Sequence, residues 1–246
     1  MEDNNIKRIF IVGCGHSGTS ILLRILGEHR MVYAVPEETG IFINTDMSET
    51  KIIKNRLCNL DILARQNNKV LWAEKTPKHI KCIKKILSIN PKSKIIAITR
   101  DPRDVACSMK NRGYTFQDGL KRWIEDNTCL LEEKSNKKIY IIKLEDLIKN
   151  PEENIKKLLC FLELPDQNLL SYYLNKQDWY SKKVIETKPE NSLKENHKIF
   201  RNWQINQPLF KDTKRYDKEM TVNDKKIFKE HFLEILPLAD QLGYEI

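Results

Sequence analysis

Residues 8–26 read RIFIVGCGHSGTSILLRIL. Ile9–Val12 is an apolar run of strand length, and from Ser17 onward Ile21, Leu22, Ile25 and Leu26 fall on one side of a helix. Between them stands GCGHSGTS, residues 13–20, close to the phosphate-binding pattern G-x-x-x-x-G-K-[ST] but with Thr19 where the lysine belongs. A glycine-rich turn from strand into helix offers backbone N–H groups and the positive end of a helix dipole to an anion. Gly13, Gly15 and Gly18 suit that turn, and Ser17, Thr19 and Ser20 add hydroxyl donors. In a nucleoside triphosphate site the lysine reaches the β- and γ-phosphates and Mg²⁺ bridges them. Without it, the loop predicts a shorter anion whose charge is met without metal.

The same alternation continues outward. MVYAV (31–35), VLWAEK (70–75), SKIIAITR (93–100) and KIYIIKL (138–144) read as strands. Helical patterns fill 48–66, 78–89, 101–113, 116–135 and 150–164. Asp101 as N-cap, Pro102 at the first helical position and Gly113 as stop bound one of them; Asn150, Pro151 and Glu153 repeat the start signal for another. Strand alternating with helix predicts an α/β fold, a P-loop-like parallel sheet flanked by helices. Beyond Pro165 the strand signal fades and helical pattern dominates, ending in an amphipathic stretch over 221–241. The chain thus reads as one domain, 1–246: an α/β core over 1–165 and a helical C-terminal extension or lid over 166–246.

Of the 246 residues 40% are hydrophobic, enough for a core, and the formal charge of +9 favours an anionic partner. The six cysteines form no C-x-x-C pair and mostly sit in apolar stretches, which predicts reduced, buried thiols. The five histidines show no metal-ligand spacing, so no metal site is expected. MEDNNIKRIF at the start is too polar for a signal peptide, and no apolar run approaches the roughly 20 residues of a membrane span. A cytoplasmic protein without membrane contact is the expectation.

RDPRDVACS, residues 100–108, carries a second anion signal. Arg100 ends a buried strand, at the edge where open α/β sheets collect ligands, and Ser108 follows two helical turns on. A planar guanidinium and a hydroxyl so placed suit a second phosphate; an Arg100 salt bridge to Asp101 or Asp104 is the competing use. Two separated anion sites match 3′-phosphoadenosine 5′-phosphosulfate (PAPS). Here the sequence resembles the PAPS-dependent sulfotransferase family, in its bacterial and Golgi-type branch. GCGHSGTS resembles the family's 5′-phosphosulfate loop G-x-x-[RK]-S-G-T-[ST], and RDPRDVACS its 3′-phosphate motif. WAEKTP (72–77) resembles a segment of bacterial and Golgi-type members, and KLEDLIKNPEENIKKLLCFLELP (143–165) the YEDL-x-x-x-P segment. The resemblance implies sulfuryl transfer without a required metal. It places Gly15, His16, Ser17, Gly18, Thr19 and Ser20 on the 5′ side of the cofactor and Arg100 and Ser108 on the 3′-phosphate.

Sulfuryl transfer needs a base at the acceptor hydroxyl. VPEETG (35–40) follows the second strand, and its EET resembles the stretch of tyrosylprotein sulfotransferases whose second glutamate is that base, which makes Glu38 the candidate and Glu37 its rival. Lys75, at another strand end, is the candidate for stabilising charge on the bridging or sulfuryl oxygens. His16 departs from the family's Arg or Lys; it is expected to contact the phosphosulfate and to make turnover depend on its protonation. Leu144 stands where the family often has tyrosine. In HKIFRNWQ (197–204), Lys198 or Arg201 is a candidate to close over the 3′-phosphate, with a helix burying Trp203 as the equal alternative. The acceptor is a hydroxyl on a glycan, tyrosine, lipid or small alcohol. Two other readings stay open: a P-loop kinase, which the missing lysine and the lack of a clear Mg²⁺-binding aspartate oppose, and a basic nucleic-acid-binding protein, which the dispersed basic residues oppose. The oligomeric state is not legible.

Overall fold

The computed structural model describes residues 6–179, 182–189, 197–209 and 213–246. The first residues of the polar N-terminal stretch and parts of the tail expected to form a lid lie outside them. Five strands form one parallel sheet: β1 (Lys7–Val12), β2 (Val32–Ala34), β3 (Leu71–Lys75), β4 (Lys94–Thr99) and β5 (Ile139–Lys143), in the order β2-β3-β1-β4-β5. Their sequences are near-continuous apolar runs because both faces are covered. Ile9 and Ile11 join a core with α1 (Thr19–Gly27), whereas Phe10 and Val12 join the core on the opposite face.

The remaining helices are α2 (Thr50–Gln66), α3 (Ile83–Ile89), α4 (Pro102–Lys110), α5 (Phe116–Leu131), α6 (Leu144–Lys149), α7 (Pro151–Leu162), α8 (His197–Ile205), α9 (Tyr216–Glu219), α10 (Val222–Glu230) and α11 (Phe232–Leu242). Asp101 caps α4 as expected, its carboxylate accepting from the Arg103 N–H at 2.8 Å. A capping box of Thr115 and Asp118 starts α5. The side chain of Gly119 is missing where it matters: a Cβ there would lie 2.5 Å from the Ala106 Cα, so α5 sits directly on α4.

Several expectations are corrected. The helix expected over 78–89 opens as a 3₁₀ turn, Pro77–Cys82, before α3, because Pro77 begins it straight off β3. The strand expected over 31–35 shortens to Val32–Ala34. Asn150 makes no side-chain cap; it is the hinge between α6 and α7, and Glu153 pairs with Lys157 at 2.6 Å instead of closing a capping box. The stretch 221–241 breaks at His231 into α10 and α11. Only Cys14 and Cys107 are buried, Cys58 and Cys160 being exposed, while all six thiols are free. Residues that follow one another at helical spacing can still sit on a surface face, which is where Cys58 and Cys160 lie. Among the described residues no helix is long and apolar enough to cross a membrane.

Candidate functional site

In a parallel sheet every strand ends on the same edge, so β1, β2, β3 and β4 deliver the 13–18 loop, the 35–40 segment, Lys75 and Arg100 to one rim. The connection from β1 leads outward to β2, and the connection from β3 returns past β1 to β4, which puts the loop at the point where the strand order reverses.

The loop turns into α1 at Gly18, whose φ of 94° is open to glycine at little cost. A side chain there would also meet Leu144, so the residue that departs from the family pattern packs against the loop. Ser17 is fully buried, and its hydroxyl has no hydrogen-bond partner among the described residues. His16 holds a left-handed φ of 73°, unusual for a residue with a Cβ. Its Nδ1 lies 3.1 Å from the Ser108 Oγ, and its carbonyl accepts from Arg100 at 3.2 Å. The two anion motifs read separately in the sequence are thus stitched together through His16. Arg100 also pairs with Asp104 at 3.0 Å, the competing use, so its fork is engaged on both sides by the chain.

Glu38 and Lys75 form an ion pair at 2.6 Å, with the lysine side chain only 2% exposed and the carboxylate 39%. The neighbouring Glu74 is completely buried and organises this corner. Its Oε1 accepts from the Thr39 N–H at 3.1 Å, from the Thr39 hydroxyl at 2.9 Å and from the Thr76 hydroxyl. Its Oε2 stands 3.2 Å from the Nδ1 of buried His79. Burial pushes this carboxyl upward, but His79, Thr76 and Thr39 together outweigh it and hold it below its ordinary range.

A pocket of about 370 Å³ opens at this rim. Gly15, His16, Thr19 and Ser20 line it from the loop, with Glu38 and Lys75 facing them. Glu37 is not in its wall; nor is Lys198, whereas Arg201 is. Trp203 is half-buried against Phe200, their ring centroids 5.5 Å apart. Arg100 and Ser108 are not in the pocket wall but touch His16, which is. Two arginines that sequence reasoning missed, Arg112 and Arg122, also line the pocket, as do Lys78 and Tyr114. Arg112 is 6% exposed, and one of its terminal nitrogens is buried with no partner among the described residues. Its guanidinium lies 4.1 Å from the Phe200 ring centroid, and burial first, then Arg201 and Arg215, lower it to about 10. The signal was its place four residues beyond Ser108, hidden because only Gly113 was read there, as the helix stop. Five cationic side chains, Lys75, Lys78, Arg112, Arg122 and Arg201, thus surround the single carboxylate of Glu38 in the pocket wall, a setting made for an anion. A larger hollow of about 690 Å³ beside α7 carries Glu152, Glu153 and Asp166 and lies away from the strand ends. Among the described residues no group of three or more His, Cys, Asp or Glu is placed to hold a metal ion.

The model described as "Sulfotransferase family" matches residues 42–168, just over half of the chain. An uncharacterised protein of Aquifex aeolicus is 27% identical over 208 residues, 70% of this chain; the chain spans about 27% of that relative's length. The sulfotransferase domain from the curacin biosynthetic pathway is similar in structure, with a TM-score of 0.66 at 18% identity, covering 98% of this chain and 99% of its own. Mouse sulfotransferase SULT7A1, crystallised with PAP, has a TM-score of 0.60 at 17% identity, covering 96% of this chain and 86% of its own. At such identities the likeness is one of fold.

Proposed function

The chain belongs to the sulfotransferase family, and from that premise we propose that it moves a sulfuryl group from PAPS to an acceptor hydroxyl, with Glu38 as the base. The observation that carries this reading is the single cationic pocket into which the lysine-free loop and the Glu38–Lys75 pair both open. The residues fit the cofactor: the buried, unpartnered Ser17 hydroxyl and Arg112 nitrogen are donors in want of acceptors, which phosphate oxygens supply. Gly15–Ser20 would hold the 5′ side, and Arg100, Ser108 and Arg112 the 3′-phosphate. When bound, PAPS supplies an activated sulfuryl group with PAP as its leaving portion.

Glu38 is exposed enough to meet an acceptor and is steered by Lys75 from below. It would take the proton of the acceptor hydroxyl, while Lys75 holds the carboxylate in place and adds positive charge where negative charge gathers. His16, bonded to Ser108, links the two phosphate sites, so its protonation would be felt at both. The acceptor is hydroxyl-bearing; a glycan suits the polar side chains, Lys78 and Tyr114 among them, that line the pocket.

The test is transfer of radiolabelled sulfate from PAPS to a panel of glycans, peptides and lipids, with PAP binding measured in parallel. Glu38→Ala should lower transfer at least about 100-fold, the range for a general base, and leave PAP affinity unchanged. Loss of PAP binding in that variant would make Glu38 structural. A melting temperature raised by ATP and not by PAP would favour a kinase instead.

A further inference from the structure

We propose that Arg122, on α5, supplies the positive charge that the phosphate loop does not carry itself. The inference rests on the reading that Gly15–Ser20 seats the 5′ end of PAPS, and it names the cation of that site. The loop has Thr19 at the lysine position, which brings no charge, and the His16 ring is engaged with Ser108, 3.1 Å away.

Arg122 brings a charge to the loop. A Cβ built on Gly15 would stand 2.8 Å from the Arg122 guanidinium carbon and 2.8 and 2.9 Å from its two terminal nitrogens. The guanidinium therefore lies flat against the loop backbone, and only glycine at 15 permits that approach. Its orientation is set from behind. Nε is 3.3 Å from an oxygen of Asp126, whose side chain is 2% exposed, and Lys81 braces the other Asp126 oxygen at 3.7 Å. The two terminal nitrogens are left toward the pocket, whose wall they share with Gly15, His16 and Thr19. The helix that carries Arg122 is fixed by the contact of Gly119 with Ala106, so the cation is delivered by a rigid element. Of the other pocket cations, Lys75 is paired with Glu38, Arg112 lies over the Phe200 ring, Arg201 comes from α8 and bonds Gln204, and Lys78 comes from the turn after β3. A planar fork with two free N–H edges beside a phosphate loop is the geometry for bidentate anion binding.

The test separates the two ends of the nucleotide. Wild type, Arg122→Gln, Arg122→Lys and the double variant Arg122→Gln/His16→Arg are titrated calorimetrically with PAP, adenosine 5′-monophosphate and adenosine 3′-monophosphate. Arg122→Gln should weaken PAP and the 5′-monophosphate by about 10- to 100-fold, the loss of one charge-assisted bond, and leave the 3′-monophosphate unchanged. His16→Arg, which returns a charge to the loop, should recover at least about tenfold of that loss. Should the glutamine variant not fold, Arg122→Lys carries the test: its single ammonium cannot fork, so it should weaken 5′-phosphate binding several-fold and spare the 3′-monophosphate. If wild type binds PAP but the Arg122 variants bind the 5′-monophosphate equally well, or lose both monophosphates alike, the role assigned to Arg122 is wrong. If wild type binds no PAP at all, it is the proposed function that falls.

Discussion

Arg112 shows what a single residue can reveal about a ligand. An arginine that is 6% exposed and leaves a terminal nitrogen unbonded carries an uncompensated cost, and a bound anion would relieve it. Its lowered value of about 10 has the same origin, since burial and the nearby Arg201 and Arg215 oppose its charge. Arg112→Gln should therefore weaken PAP by about 10- to 100-fold, judged from the worth of a charged hydrogen bond. The same substitution relieves the charged burial, so the ligand-free protein should melt no lower than wild type. Both are read from thermal melts with and without PAP; a variant that melts lower alone and still binds PAP fully would mean that Arg112 is there for packing on Phe200. At this scale the sequence was readable where a residue type has one chemical use in its setting. The loop glycines were visible for that reason, while Glu38 was singled out through the EET resemblance and Lys75 through its strand-end position; Gly15, Glu38 and Lys75 line one pocket. Arg112 and Arg122 were not visible, because an arginine in a lysine- and arginine-rich chain shows its purpose only through burial and through what it lies against.

At the scale of elements, the 35–40 segment has no regular structure and still presents Glu38 in one place. Glu74 at the end of β3 holds it, through both the N–H and the hydroxyl of Thr39, while His79 from the following 3₁₀ turn stands 3.2 Å from the other Glu74 oxygen. Glu74→Gln should lower kcat by about tenfold, the cost of slight misplacement of a base, and leave PAP affinity unchanged. A pH dependence follows with a definite sign. The Glu74 carboxyl is held below its ordinary value in the folded protein. Its contribution to stability is thus present above the pH where a free glutamate titrates, about 4.3, and is lost as pH falls through the depressed value. Melting curves across that acid range should show wild type losing stability faster than the glutamine variant; parallel curves would rule out this account. Element boundaries were readable where a local signal exists, as with Asp101 and Pro102 at α4. They were missed at His231, because the apolar spacing runs unbroken from α10 into α11 and only tertiary packing turns the chain. α6 was missed for a related reason: the six residues Leu144–Lys149 are too few to show a period.

Across the whole molecule, the end of the chain returns to the rim that carries the site. Tyr244 is buried; its hydroxyl donates to the Glu145 Oε2 at 3.2 Å and lies 3.0 Å from the Thr99 Oγ1. The other oxygen of Glu145 accepts the Asp101 N–H at 3.0 Å. A residue from the LEDL segment thus joins β4, the start of α4 and the C-terminal segment at the turn that presents Arg100. Burial raises the Glu145 carboxyl and drives the Tyr244 phenol far above its usual value, so both groups favour their neutral forms in the folded protein. Glu145 stabilises most below the pH where a free glutamate titrates, and its contribution is lost as pH rises through the raised value, the opposite sign to Glu74. Tyr244→Phe removes the phenol that the Glu145 Oε2 and the Thr99 hydroxyl share, a cost of about 1–3 kcal/mol, or a melting temperature lower by about 2–4 °C per kcal/mol for a chain of this size. Because the same contact steadies the Asp101 turn, PAP affinity should fall with it, while adenosine 5′-monophosphate, which on the proposed reading the loop after β1 would hold, should bind as before. Calorimetry on the phenylalanine variant decides the matter. A drop in stability with PAP affinity unchanged would show that the C-terminal segment only covers the sheet edge, and equal losses for both nucleotides would show that the rim moves as one piece.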